Sequence, residues 1–432
     1  MNSQRSKVLT IAFYFVAWFF GYGIRYTLGI VAPALMNGYH ISPKEMGYIL
    51  SGWTWSYTVG MLLMGPLVDR LGPWVVTAVG SVVWSLSTLA VPLVHSPTSI
   101  FLFRLLFGLG HSMLIASTAV AISKEFLGKE RARAIASVYS GNQVGLAAGA
   151  MIAAFILVNA GWEAVFYFVG GASVLFAAAW LLFYPDRRVG ARRSSSAAQD
   201  GVRDWLRFFR YRSTWGIALG QMGYLYALGV FVSWLPGYFV LERKMTLLKS
   251  GVVSALPFWV GLVATLAGGW LADRMVGMGV STAKTRKGII GAGMIGATAF
   301  VSSAAFVPQA WLAVLLLTLC VGSLRLATGS ANALPIDLAR PSEVGTLSSI
   351  QNFFGNLGGV SAPIVTGYLV NISGSFTLAL IAAGAMATFG AFAYVFILGD
   401  LLPQFRNTSQ DSNPGQGVAR TATKHIERRT SI

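Results

Sequence analysis

Long apolar runs separated by short polar clusters organise this chain. Read as helices, the runs give about twelve spans, each long enough for a hydrocarbon core that needs roughly 20 residues. They lie approximately at Val8 to Met36, Met46 to Val68, Trp74 to Val94, Ser99 to Ser123, Ala134 to Ala160, Trp162 to Tyr184, Thr214 to Val240, Ser250 to Ala272, Gly288 to Val307, Ala310 to Ile336, Val344 to Val370 and Phe376 to Leu398. From Pro185 to Arg212 the hydropathy collapses into arginines and serines, which divides six spans from six. The expected fold is therefore an all-α membrane protein, with twelve transmembrane helices in two six-helix bundles. Its parts are an amino-terminal bundle over 1–184, a basic cytoplasmic linker over 185–212, a carboxy-terminal bundle over 213–400 and a disordered cytoplasmic tail over 401–432.

Composition agrees and excludes other classes. Hydrophobic residues make up 55% of the 432 residues and charged residues 11%, against about 25% charged in a soluble domain. That is too little charge to cover a water-facing surface, so an ordinary cytosolic enzyme is excluded. The net charge of +17 invites a nucleic-acid reading, but its distribution argues against one. The outer loops carry only Lys44, Arg243, Lys244 and Lys249, and nearly all other Lys and Arg fall in the amino terminus, the alternate loops and the tail. Cationic loops resist translocation, so both termini are expected in the cytoplasm of a bacterial inner membrane, with the lipid bilayer as partner. The first run lacks a small-residue cleavage site after a short apolar core and reads as a retained span. A lone Cys320 and four scattered histidines offer no metal-ligand spacing, and no cofactor is expected. The phosphate-binding pattern G-x-x-x-x-G-K-S/T is missing, which disfavours an ATP-driven pump.

One motif occurs twice. Gly65-Pro66-Leu67-Val68-Asp69-Arg70-Leu71-Gly72 follows the second span, and Gly269-Trp270-Leu271-Ala272-Asp273-Arg274-Met275 follows the eighth. Two copies at matched positions point to a duplicated six-helix unit, the repeat logic of secondary carriers. A carboxylate at a helix end can cap a neighbouring amino terminus and pair with arginine across the halves. Asp69, Arg70, Asp273 and Arg274 are accordingly expected to form a conformational gate; the other reading is a solvated tight turn.

The candidate chemistry lies in charges within spans, where an ionised side chain is costly unless it faces a wet cavity or a partner. Arg25, Arg104 and Arg325 qualify, at depths of roughly 17, 8 and 22 Å from the outer ends of their spans at about 1.5 Å per residue. No acid is central to a span; Glu163, Asp337 and Glu343 lie near ends. A guanidinium fork matches carboxylate, phosphate or sulfonate oxygens. With no acid supplied by the protein, the simplest source of negative charge is the substrate, a small organic anion. The alternative is an arginine that braces helices through backbone carbonyls or snorkels to the surface. Asn352 and Asn356, four apart, share one helix face and are candidates for substrate oxygens or an interhelical hydrogen bond. Drug/proton or organophosphate exchange, and a transport-silent membrane receptor, are the competing functions. A membrane enzyme would need a nucleophile, base or metal cluster that does not assemble. The protein is expected to be a monomer.

The duplicated loop resembles the signature of the major facilitator superfamily. Further stretches resemble its anion:cation symporter family: Tyr22 to Pro33, Ser51 to Gly72, Arg104 to Gly110, Lys129-Glu130-Arg131-Ala132, Ser140-Gly141-Asn142, Trp234-Leu235-Pro236-Gly237-Tyr238 and Asn352 to Gly359. The resemblance implies that Arg25 and Arg104 contribute to an anion site, that Tyr57 contacts substrate and that Asn142 is a polar amide of the fifth span. It also implies proton-coupled uptake, with a proton or sodium as coupling ion. Here the chain departs from the family. Proton-coupled members carry acids where this chain has Ile24 and His111. His111, seven residues after Arg104, is the remaining group able to take a proton alongside an anion; its other reading is a neutral hydrogen-bond donor.

Overall fold

A computed structural model describes residues 3–126, 128–185, 207–339 and 343–399. These are helical, and no strand occurs among them. The helices are α1 (Ser3–Tyr39), α2 (Pro43–Leu71), α3 (Pro73–Ala90), α4 (Pro97–His111), α5 (Met113–Glu125), α6 (Gly128–Phe183), α7 (Arg212–Leu241), α8 (Leu247–Gly277), α9 (Thr282–Phe306), α10 (Ala310–Leu338), α11 (Val344–Ser373) and α12 (Thr377–Phe392). A five-residue π turn, Ala393–Ile397, continues α12. Most of the expected linker and the whole expected tail lie outside the described residues.

Local sequence sets these boundaries. Ser42 opens α2 with a reciprocal capping box: its side chain accepts from the Glu45 amide, and Glu45 accepts from the Ser42 amide at 2.9 Å. The two Ser42 hydrogen bonds hold the Glu45 carboxyl below the usual carboxylate range. Ser96, Thr246 and Ser281 cap α4, α8 and α9 on one side only, each side chain accepting from the amide three residues on. Within the apolar stretches several hydroxyls bond back to their own helix, as Thr58 does to the Thr54 carbonyl at 2.7 Å, which satisfies those donors internally. The 56-residue α6 is two helices meeting at Gly161, whose φ of 86° is open to glycine and strained for other residues.

Ten segments are long and apolar enough to cross a membrane; α4 and α5 count together, and so do the two parts of α6. The segment α2 is not among them. Its centre reads Trp53-Thr54-Trp55-Ser56-Tyr57-Thr58, a polar and aromatic patch that lowers its hydropathy.

Packing among the helices is close where glycines meet. α1 lies along α6 and α7 along α11; α2 also packs on α11 and α6 on α8, which ties the first six sequence spans to the last six. At the end away from the amino terminus the two sets touch backbone to backbone. A Cβ on Gly47 would lie 2.5 Å from the Pro363 carbonyl oxygen, and one on Gly29 2.8 Å from that of Ser233. At the amino-terminal end, Gly65 and Gly269 have open space beside them, and Asp69, Arg70, Asp273 and Arg274 are exposed. Ion pairs at this end stay local: Lys7 with Glu130 at 2.7 Å, Arg286 with Asp337 at 3.1 Å, and Arg207 with Glu343.

Candidate functional site

A cavity of about 180 Å³ lies between the two sets of helices. Each wall is a polar stripe at helical spacing. Tyr22 and Arg25 come from α1, Trp53, Thr54, Tyr57 and Met61 from α2, and Gln221, Tyr224, Leu225 and Leu228 from α7. Arg325, Thr328 and Asn332 come from α10, and Asn352, Asn356 and Gly359 from α11. The lining holds two guanidinium groups and no carboxylate.

Arg25 is held by rings. Its Cζ lies 3.8 Å from the centre of the Trp53 ring and 5.2 Å from that of Tyr22. Stacking covers a face of the guanidinium and leaves its edge, where the N–H groups point, for a planar acceptor. Its Nε is buried without a hydrogen-bond partner, and so is that of Arg325. The Arg325 stem is pressed by α8, where a Cβ on Gly261 would lie 3.0 Å from its Cγ. Neither arginine has an ion-pair partner among the described residues. The spare acids are engaged elsewhere, Asp337 by Arg286 and Glu343 by Arg207.

The opposite wall is oriented by a directional chain of hydrogen bonds. Gln351 Nε2 donates to the Ala331 carbonyl at 2.9 Å and to Tyr394 Oη at 3.3 Å. The Tyr394 hydroxyl donates to Gln221 Oε1 at 2.6 Å. With its oxygen taken, Gln221 has its N–H groups left to donate. Tyr224 shares a 2.7 Å hydrogen bond with Thr328, joining α7 to α10. Asn352 donates to the Ser348 carbonyl at 2.9 Å and Asn356 to Met61 Sδ at 3.6 Å, a contact that crosses between the sets.

Of the sequence-derived binding candidates, the cavity gathers Arg25, Tyr57, Arg325, Asn352 and Asn356. Arg104 is not in its lining. It is buried behind Arg25, donates from Nη2 to the Arg25 carbonyl at 3.3 Å and lies over the Phe107 ring at 4.9 Å. That geometry is the bracing alternative. Asn142 is also outside the lining, with its Oδ1 buried and unpartnered; the neighbouring Gln143 is the amide that reaches Gly261 beside Arg325. His111 sits one layer back, where α4 meets α5. The rings of Tyr22, Tyr57, Trp84 and Phe107 surround it at 5.3 to 6.2 Å. Both its nitrogens lack partners.

The expected gate is not assembled here. Asp69, Arg70, Asp273 and Arg274 make no ion pair among the described residues, and α3 starts at Pro73 without a side-chain cap. Arg274 instead lies 5.4 Å over the Trp270 ring of its own helix. Sequence reasoning did not find Tyr22, Trp53, Gln221, Thr328 or Asn332. Their shared signal is a polar or aromatic residue three or four positions from another in an apolar run.

Comparison with known proteins carries this geometry to a family. The family model described as Major Facilitator Superfamily matches residues 13–360. A protein named "Probable L-galactonate transporter" from Escherichia coli (strain K12) is 30% identical over 415 residues, covering 91% of this chain and 90% of its own. The "Probable sulfoacetate transporter SauU" of Cupriavidus necator is 26% identical, with 88% of this chain and 91% of its own covered. Among solved structures, a bacterial homologue of the human lysosomal transporter Spinster superposes with a TM-score of 0.72 at 16% identity, covering 91% of this chain and 95% of its own, and shares the fold. The chain is a membrane transporter, not an enzyme, and belongs to the major facilitator superfamily.

Proposed function

We propose that the chain is a secondary transporter of a small organic anion, a carboxylate or a sulfonate, working by alternating access. The observation that carries this reading is the pairing of Arg25 and Arg325, from the two sets of helices, in one cavity whose lining contains no carboxylate. An uncompensated guanidinium attracts planar oxyanions, and the cavity is smaller than the roughly 300 to 1,000 Å³ of drug-sized sites. A cation exporter would be served by acids in the wall. The names of the relatives, galactonate and sulfoacetate carriers, support the same substrate class.

The architecture that fits this function is twelve spans, obtained by adding α2 and dividing α6 at Gly161, in two six-helix bundles over 1–184 and 213–400. Both termini lie in the cytoplasm of a bacterial inner membrane. A substrate touching both bundles favours an occluded state by differential contact. The close approach at Gly29 and Gly47, with open space beside Gly65 and Gly269, corresponds to a carrier open toward the cytoplasm. Asp69, Arg70, Asp273 and Arg274 pair when that side closes. Uptake is proton-coupled, and His111 is the coupling group through Tyr22 and Tyr57, which stand between it and the cavity. Arg104 holds Arg25 in position, and Asn142 completes the fifth span's polar face.

Uptake by the purified protein in liposomes, screened over carboxylates, sulfonates and organophosphates with and without an inward proton gradient, tests this. An organic carboxylate or sulfonate should accumulate, and only with the gradient. Accumulation of organic cations in its place would overturn the reading.

A further inference from the structure

The two cavity arginines come from different sets of helices. Arg25 belongs to α1 and is held against Trp53 of α2, whereas Arg325 belongs to α10 and is held by Gly261 of α8. Each is therefore fixed by its own set of helices. The third span arginine, Arg104, is spent on the Arg25 backbone and adds no group to the wall. What faces the cavity is one guanidinium from each side, both with a buried unpartnered Nε, and no carboxylate.

Charge arithmetic then separates substrates. A ligand with one anionic head leaves one guanidinium facing its like across a small cavity, where the low dielectric strengthens repulsion. A ligand with an anionic head at each end matches both in charge and links the bundles by a charge-assisted contact at each end. The space between the heads is suited to hydroxylated carbon. The α7, α10 and α11 wall supplies the Gln221 amide, turned donor-outward by Tyr394, with Thr328 and Asn332 beside it. We infer that the preferred substrate is a dianion, a short dicarboxylate or sulfocarboxylate bridging Arg25 and Arg325. This rests on the anion-transport reading above and narrows it.

The test is calorimetric titration of the full chain in lipid nanodiscs with matched pairs: galactarate against galactonate, and sulfoacetate against acetate. The dianion of each pair should bind roughly tenfold tighter or more, the worth of one charge-assisted contact. Arg325→Gln should bring the ratio within a pair close to one, and Arg325→Lys should keep much of it. Should Arg325→Gln fail to fold, the wild-type ratios and the lysine variant decide. Equal binding of monoanion and dianion by the wild type, or a ratio untouched by the glutamine variant, overturns the bridging role while leaving organic-anion transport standing. Binding of neither anion removes both.

Discussion

Arg25 uses its face and its edge for different tasks. The Trp53 ring at 3.8 Å fixes the plane, and the remaining N–H groups meet the cavity. Arg25→Lys keeps the charge but loses both plane and fork, so anion affinity should fall by roughly 10- to 100-fold, read by titration. Trp53→Leu should cost several-fold, since it removes a stacking contact of about 0.5–2 kcal/mol. Arg104→Gln should cost less than Arg25→Ala in the same assay, because Arg104 acts through the Arg25 carbonyl. The sequence marked these arginines, since charge in an apolar run is conspicuous at any depth. It could not say which way each points. Arg104 and Arg25 differ in whether the helix turns them toward the cavity or toward a neighbouring carbonyl, and that depends on helix rotation. Gln221 was overlooked for the opposite reason: a neutral amide among alanines and glycines carries little weight until a second helix brings Tyr394 to its oxygen.

Elements were more legible than contacts. Hydropathy located the long helices, but α2 shows how function blurs that signal, because the Trp, Thr, Ser and Tyr residues that weaken its apolar character include those that line the cavity. The kink at Gly161, by contrast, falls where the sequence spacing already separates two apolar runs. Gly161→Ala should cost about 1–2 kcal/mol, since an alanine resists a positive φ, and should lower the midpoint of thermal unfolding. At the start of α2, Ser42→Ala should cost about 1 kcal/mol. The depressed Glu45 carboxyl gives the same turn a pH dependence. Its folded value lies below the unfolded one, so its support is present at neutral pH and is lost as pH falls through the folded value. Hydrogen exchange of the first turn of α2 should therefore accelerate only as pH falls below the ordinary carboxylate range, and Glu45→Gln should abolish the change. In the π turn after α12, Tyr394→Phe should reduce anion affinity a few-fold by releasing Gln221, as expected for about 1 kcal/mol of hydrogen bonding.

At the scale of the whole molecule, the two sets of helices meet backbone to backbone at the end away from the amino terminus. Backbone contact of Gly47 with Pro363 holds α2 close against α11, and a larger side chain there would force the two helices apart. Gly47→Leu should accordingly abolish uptake into liposomes while binding to detergent-solubilised protein persists. A variant that still transports would show that this seam is not part of the cycle. What decides the sign of the cargo is the cavity itself, where two guanidinium groups meet no acid. The most direct measurement is titration of the purified chain with three six-carbon ligands of different charge: galactarate, the neutral polyol galactitol and the cationic amine glucamine. Galactarate alone should bind, and Arg25→Ala should eliminate its signal. Equal binding of galactitol or glucamine, or galactarate binding that survives Arg25→Ala, would contradict anion selection by this cavity.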